Sequence, residues 1–425
     1  MSTLPSVLPR HIKPVVVEML ETFRVVHLGG ARQSGKTTLI RDLLPATGGS
    51  SVTLDDEALL LRARDDAAGF VASLERPARI DEFQRAGEGL VLAVKAAADV
   101  DRRRGQFLLT GSAGSLSAGR SVETLAGRVG RAVLWPLSQG EQRGEMEVFL
   151  DRLTEPETWP PPGVWKAPAR DEVIAAIAQG GYPEVVTERL ARRARSRWFE
   201  AYSEETIDRE AVRSLVERTP GPELRRFLRV LSARSGREFV ITEVARDVGI
   251  SRITATRYLA LLEALYIVHL QPAWATNATT RSKRAPKVHL VDSGLAASLV
   301  GLAERDLGAL DRDREFGFLL ESFVVTELCK QASWNERSVD VLHFRDRNGP
   351  EVDIIVEQRT TGAIAGLEVK ASMTPRVEHA RHLALLRDRL GDAFTVGVVL
   401  HLGSTVLPLG DRLWAVPVSA LWTRW

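Results

Sequence analysis

Between residues 15 and 137 the apolar positions switch repeatedly between helical spacing and short unbroken runs. Val15 to Phe23 carries helical spacing, and Arg24 to Gly29 predicts a short buried strand. Thr38 to Leu44 predicts the first turns of a helix, Val52 to Asp55 a second strand, and Glu57 to Leu74 a mostly helical connection. A short strand with Pro77 and Arg79 near its start runs into Ile80-Asp81-Glu82. Leu90 to Ala98 predicts an amphipathic helix, Gln106 to Ser112 an apolar strand, and Ala132 to Leu137 a fifth strand after a turn at 125–131. Strands alternating with helices imply a parallel sheet covered by helices.

The pattern then changes. A stretch holding Pro160-Pro161-Pro162 and Pro168 reads as an extended loop. Asp171 to Gln179 and Glu188 to Val216 read as helices, the second with a basic run from Arg189 to Arg197. Glu223 to Ala233, a short helix from Ile241, Gly249 in a turn, Ser251 as an N-cap and Arg252 to Leu265 read as helix-turn-helix. A hairpin from Tyr266 to Val291 makes it a winged helix. Glu315 to Leu328 is a helix, followed by strands at 339–345, 351–357 and 363–370, a helix at 377–390 and strands at 394–401 and 413–418. The expected domains are 1–218, 219–300 and 301–425.

A length of 425 residues suits about three domains. Apolar content of 44% and charged content of 26% are those of a globular chain. No apolar run approaches the roughly 20 residues a membrane span needs, and the N-terminal residues lack a secretory pattern; these features predict a cytoplasmic protein that does not engage membranes. The single Cys329 excludes an internal disulfide framework and a cysteine zinc site. A net charge of +2 leaves any nucleic-acid contact to local basic patches.

The candidate chemistry starts where the first strand gives way to the first sheet helix. Gly30-Ala31-Arg32-Gln33-Ser34-Gly35-Lys36-Thr37, continued by Thr38, matches G-x-x-x-x-G-K-[ST], the loop that cradles nucleotide phosphates. Its backbone N–H groups and helix N-terminus favour phosphate, Lys36 reaches the β/γ-phosphates, and the Thr37 hydroxyl suits Mg²⁺. Asp81 fits the strand-end carboxylate that completes Mg²⁺ coordination, and Glu82 fits a group that polarises the attacking water. Thr110 lies where a polar strand end touches the γ-phosphate or orients that water. ATP and Mg²⁺ are the implied cofactors.

Gly30 to Thr38, Ile80 to Arg85, Phe107 to Ser112 and Leu125 to Arg128 together resemble the AAA+ ATPases that carry a DUF4143-type C-terminal domain. The resemblance implies a P-loop AAA+ sheet with a helical lid. It makes Asp81 and Glu82 the Walker B pair, and Thr110 and Ser112 the sensor 1 strand. Arg128 or Arg131 becomes an arginine finger, which implies a homo-oligomer, a ring or a hexamer.

The second helix of the winged helix presents Arg252, Thr254 and Arg257 outward, and its wing offers Arg281, Lys283, Arg284 and Lys287. Such a surface suits DNA phosphates, while winged helices also pack protein against protein. In the C-terminal segment Asp353 precedes Glu368-Val369-Lys370, the D…(D/E)-x-K arrangement, and strand alternation puts Glu368 and Lys370 on one face. Asp353 and Glu368 could hold Mg²⁺, Lys370 could activate water, and Glu321 could add a carboxylate. This resembles the PD-(D/E)XK nuclease superfamily, with Pro350-Glu351 where its pattern has Pro-Asp, and implies an α/β restriction-endonuclease-like domain, cleaving or silent. Three function classes follow: an ATP-driven DNA-processing enzyme, with branched DNA among its candidate substrates; a nucleotide-controlled DNA-binding switch with a silent nuclease-like domain; and a protein-remodelling ATPase.

Overall fold

The structure, a computed structural model, describes residues 7–111, 127–160, 168–214, 221–277, 281, 284–302, 313–346 and 349–423. The expected sites Ser112 and Lys283 lie outside them. The chain forms two compact units, one of residues 1–136 with 260–267 and one of residues 137–259 with 268–425. The boundaries expected at 218 and 300 both fall inside the second unit.

The first unit is built on five parallel strands: β1 (Val25–Gly29), β2 (Ser51–Thr53), β3 (Ala78–Asp81), β4 (Phe107–Gly111) and β5 (Val129–Val133). Their order is β2-β3-β4-β1-β5. β1, β3 and β4 are buried on both faces, as unbroken apolar runs in a covered parallel sheet should be. Alternation sends Val25, Ile80, Phe107 and Leu109 into one core with Leu60, Phe70 and Val94. It sends Val26, Leu28 and Leu108 into the other, with Val16, Leu39 and Ile40. Burying each such side chain contributes about 1.5–3 kcal/mol.

The fifth strand was expected at 132–137 but runs over Val129–Val133. Its partner fixes this: Val25 pairs with Val129 and Gly29 with Val133, and β1 must stop at Gly29 for the phosphate loop to begin. A Cβ on Gly29 would also collide with the Tyr266 hydroxyl, 2.1 Å away.

The second unit has a six-stranded mixed sheet and a small antiparallel one. β6 (Arg237–Glu238), β7 (Val268–Gln271) and β8 (Lys287–Leu290) make the small sheet in the order β6-β8-β7. β9 (Val339–Arg345), β10 (Glu351–Gln358), β11 (Ile364–Val369), β12 (Phe394–His401), β13 (Leu407–Gly410) and β14 (Leu413–Pro417) make the larger, ordered β13-β14-β12-β11-β10-β9. β10 runs antiparallel to β9 and β11, whereas β11, β12 and β14 are parallel.

The helix Ile241–Val248 ends at Gly249, whose φ of 76° is the left-handed cap that glycine adopts without strain. Ser251 Oγ then accepts the Thr254 N–H at 3.0 Å and starts the helix Arg252–Ala264. The helix expected from Glu188 begins instead at Arg192, because Arg189 takes a φ of 47° behind the short helix Pro183–Thr187.

The helix Asp313–Ala332 is apolar around most of its circumference and is buried accordingly. Its polar residues fasten neighbouring chain. Glu327 accepts the Gln139 N–H at 2.8 Å and pairs with Lys330 at 2.6 Å; Gln331 accepts the Leu150 N–H and donates to the Leu421 carbonyl. Among the described residues no helix is long and apolar enough to cross a membrane.

Candidate functional site

The first unit places its chemistry at the C-terminal ends of three adjacent strands, where open parallel sheets bind ligands. β1 runs into the Gly30–Lys36 loop, β3 ends at Asp81, and β4, lying between them, carries Thr110. The loop is close-packed. A Cβ on Gly30 would stand 2.4 Å from the Leu134 carbonyl oxygen, and Gln33 turns the chain with a φ of 60°. Arg10 donates to the carbonyls of Ser34 (2.7 Å) and Trp135 (2.6 Å), which ties the loop to the chain beyond β5. Lys36 is buried and donates to the Gly30 and Ala31 carbonyls, each at 2.9 Å. Arg32 is half-buried, and Thr37 and Thr38 are exposed.

Asp81 is the junction of the site. Its Oδ2 accepts the Thr37 hydroxyl at 2.7 Å, and its Oδ1 accepts the Thr110 hydroxyl at 2.5 Å and the Glu82 N–H at 3.1 Å. Glu82 itself is held at φ 54°, a left-handed conformation that costs a non-glycine residue about 1–3 kcal/mol. Gln84 Nε2 donates to Glu82 Oε2 at 2.6 Å, so this carboxylate is aimed by its neighbour. Burial raises the Glu82 pKa, with Lys36 opposing. Behind the loop, His27 stacks edge-on against Phe83 with centroids 5.5 Å apart. Burial, then Arg131 and Lys36, lowers His27 to about 4.

These residues fit the implied nucleotide and magnesium. Ser34 Oγ is buried in the loop without a hydrogen-bond partner, and a hydroxyl and a carboxylate adjoin at Thr37 and Asp81. Gln84 and Arg10 carry no motif signal of their own beyond Gln84's place two residues after Glu82. Of the finger candidates, Arg128 donates from Nε to Asp99, whereas Arg131 is exposed on β5.

In the second unit the expected helix surface is partly as read. Arg252 and Arg257 are exposed, and Thr254 is half-buried with its hydroxyl 2.9 Å from Ser251 Oγ. The wing cations differ from expectation. Arg281 grips Glu357 through both terminal nitrogens, at 2.5 and 2.7 Å, and Arg284 donates to the Arg345 carbonyl. Lys287, expected on the wing surface, starts β8 and is 1% exposed. The hairpin folds against carboxylates far along the chain, and their attraction offsets the cost of burying an ammonium.

The structure does bring Glu321, Asp353, Glu368 and Lys370 together. The β10–β9 register shifts between Val352 and Ile355, a bulge of the kind that re-aims a side chain. Asp353 Oδ2 accepts the Val369 N–H at 2.8 Å across to β11. Lys370 Nζ lies 2.5 Å from Glu368 Oε2 and 3.7 Å from Asp353 Oδ2. Lys287 Nζ lies 2.7 Å from Glu321, 2.8 Å from Glu351 and 3.9 Å from Asp353. Burial opposes the Lys287 ammonium, yet these carboxylates outweigh it and raise its pKa. Burial pushes Glu321 up to about 8, and raises Glu368 well above the usual carboxylate range.

The expected Mg²⁺ ligands Asp353 and Glu368 therefore do not fit a metal. Two ammonium groups already stand against the carboxylates, and among the described residues no three acidic, histidine or cysteine side chains are grouped to hold a metal ion.

Sheet order, loop and strand-end carboxylate together define a P-loop ATPase domain joined to a separate mixed-sheet unit. Residues 22–142 match a family described as an AAA domain. Residues 170–306 and 316–421 match two domains of unknown function, DUF8612 and DUF4143. The chain is 30% identical over 401 residues to the uncharacterized protein Rv2008c of Mycobacterium tuberculosis, covering 94% of this chain and 81% of that protein. Uncharacterized protein Mb2031c of Mycobacterium bovis matches with the same identity and coverage. The chain belongs to the family of these mycobacterial proteins. Among solved structures, the Walker-type ATPase PABY2304 of Pyrococcus abyssi is 15% identical, over 69% of this chain and 96% of that one, with a TM-score of 0.46.

Proposed function

We propose that the protein binds and hydrolyses ATP at Gly30–Thr38 and that nucleotide state controls its hold on DNA. The observation that carries the reading is the Asp81 carboxylate, shared by the hydroxyls of Thr37 and Thr110 beside a loop with an orphaned Ser34 hydroxyl. Phosphate oxygens would take the Lys36 ammonium from the Gly30 and Ala31 carbonyls. Thr37 and Asp81 would hold Mg²⁺, which supplies charge neutralisation to the phosphates when bound. Glu82, aimed by Gln84, would orient and polarise the attacking water. Thr110 keeps Asp81 turned toward Thr37.

The DNA half of the proposal rests on Arg252 and Arg257, exposed on the helix Arg252–Ala264. It does not use Arg281 or Arg284, which are engaged within the protein. Assembly of several copies, as a ring or hexamer, belongs to the same proposal through exposed Arg131, which could complete a neighbour's site.

The test is ATP hydrolysis by wild type and Lys36→Ala, each with and without single-stranded, duplex and four-way DNA. The expected result is hydrolysis that one DNA form stimulates, that Lys36→Ala abolishes, and that Arg252→Ala/Arg257→Ala uncouples from DNA without changing its basal rate. Hydrolysis indifferent to every DNA would overturn the DNA half and leave a protein-remodelling ATPase. Absence of hydrolysis would overturn the whole.

A further inference from the structure

We propose that Lys287 is a built-in cation that takes the place of a divalent metal in the carboxylate site of the mixed sheet. Four carboxyl groups meet there, from Glu321, Glu351, Asp353 and Glu368, and drawing them out of water calls for a partner cation. The protein supplies one from another strand. The Lys287 ammonium has three N–H donors, and three carboxylates surround it, two within hydrogen-bonding distance at 2.7 and 2.8 Å and Asp353 as an ion pair at 3.9 Å. A divalent ion bound to Asp353 and Glu321 needs oxygens at about 2.0–2.6 Å. It would have to occupy the same opening, directly against a fixed positive charge.

The remaining pair, Lys370 on Glu368, covers only one oxygen. Glu368 Oε2 is bound at 2.5 Å, while Oε1 is buried with no hydrogen-bond partner. An unsatisfied buried carboxylate oxygen marks a site with ligating capacity left over. The combination is a carboxylate cluster held closed by an internal ammonium. The ATPase reading is not needed for this inference, which concerns the second unit alone.

The consequence is specific. Wild-type protein takes no Mn²⁺ at Asp353, and removing the ammonium while keeping its bulk opens the site. The experiment is Mn²⁺ titration of the full chain without nucleotide, followed by electron paramagnetic resonance of the free ion. The proteins are wild type, Asp353→Asn, Lys287→Met and the Lys287→Met/Asp353→Asn double variant. We expect wild type and Asp353→Asn to bind the same number of equivalents. Lys287→Met should gain one equivalent, and the double variant should lose it again. The Lys287→Met protein should also melt at a higher temperature with Mn²⁺ than without. Loss of one equivalent on Asp353→Asn alone would overturn the proposal, because the site would then take metal with Lys287 present. A folded Lys287→Met protein that gains nothing would overturn it too. Should Lys287→Met fail to fold, Lys287→Gln, which also removes the charge, takes its place in the same titration with the same expected gain and the same refuting result. Mg²⁺-dependent DNA cleavage by wild type that Asp353→Asn removes would count against it in the same way.

Discussion

Replacing Thr110 with valine removes one hydroxyl and keeps the shape of the strand, so it isolates what that hydroxyl does. Thr110 is fully buried on β4, and its Oγ1 donates at 2.5 Å to the Asp81 carboxylate. A hydrogen bond to a charged group is worth about 1.5–3 kcal/mol, and a buried carboxylate left short of donors feels the upper part of that range. Asp81 still keeps the Glu82 N–H and the Thr37 hydroxyl, so about 2 kcal/mol is the better expectation. For a unit of this size that corresponds to about 4–8 °C in melting temperature. The Asp81 side chain also becomes free to rotate away from Thr37, which predicts a loss of about 10–100-fold in hydrolysis, the usual cost of losing a group that orients a ligand. Differential scanning calorimetry and a coupled ATPase assay measure the two effects, with Thr110→Ser as the control that should restore both. A Thr110→Val protein with unchanged melting temperature and unchanged turnover would refute the idea that this hydroxyl clamps Asp81.

Gly30→Ala should abolish nucleotide binding, measured with a fluorescent ATP analogue, because its Cβ would stand 2.4 Å from the Leu134 carbonyl oxygen; retained affinity would show that the loop has another route. His27 has its pKa lowered to about 4 by burial, with Arg131 and Lys36 adding to the effect. The unfolded chain therefore takes up this proton near pH 6.5 and the folded chain only near 4, so the stability it contributes is present above 6.5 and lost as pH falls toward 4. His27→Gln should remove that part of the acid sensitivity, at most about 3 kcal/mol across the window, and urea unfolding curves that stay parallel to wild type from pH 7 to 4.5 would contradict it. Lys330→Met should destabilise the second unit by about 3–5 kcal/mol by stranding buried Glu327; the Lys330→Met/Glu327→Leu double variant should recover part of the loss, and a double variant as unstable as the single would argue against that pairing.

The nucleotide site was legible because its chemistry is local. Eight consecutive residues between a strand and a helix specify the loop, and Asp81 announces itself as an acidic residue at the end of a short apolar run. Arg10 was not legible, since its partners at Ser34 and Trp135 are 24 and 125 residues away. Nor was the tilt of Glu82, which depends on a left-handed backbone angle and on Gln84. The strand expected at 132–137 slid to 129–133 because register belongs to the partner strand, not to the run of apolar residues itself. Lys287 was the largest misreading. A lysine among other basic residues near a hairpin tip looks like a surface cation, and only the approach of Glu321, 34 residues on, and of Glu351 makes it a core residue.

The two carboxylate sites differ in a way that decides what each can attract. Asp81 is held by two hydroxyls and an amide. Neutral donors orient a carboxylate without cancelling its charge, so Asp81 would keep its attraction for a cation arriving with the proposed nucleotide. Asp353 also receives a neutral amide, from Val369, but stands between two ammonium groups at 3.7 and 3.9 Å. There the charge is offset before any ion arrives, and a second cation would meet repulsion in a region of low dielectric constant, where like charges interact most strongly. Replacing Lys287 with an uncharged side chain would leave Asp353 beside the Lys370 ammonium alone, and halving the opposing charge in this way is what would let a divalent ion approach Asp353.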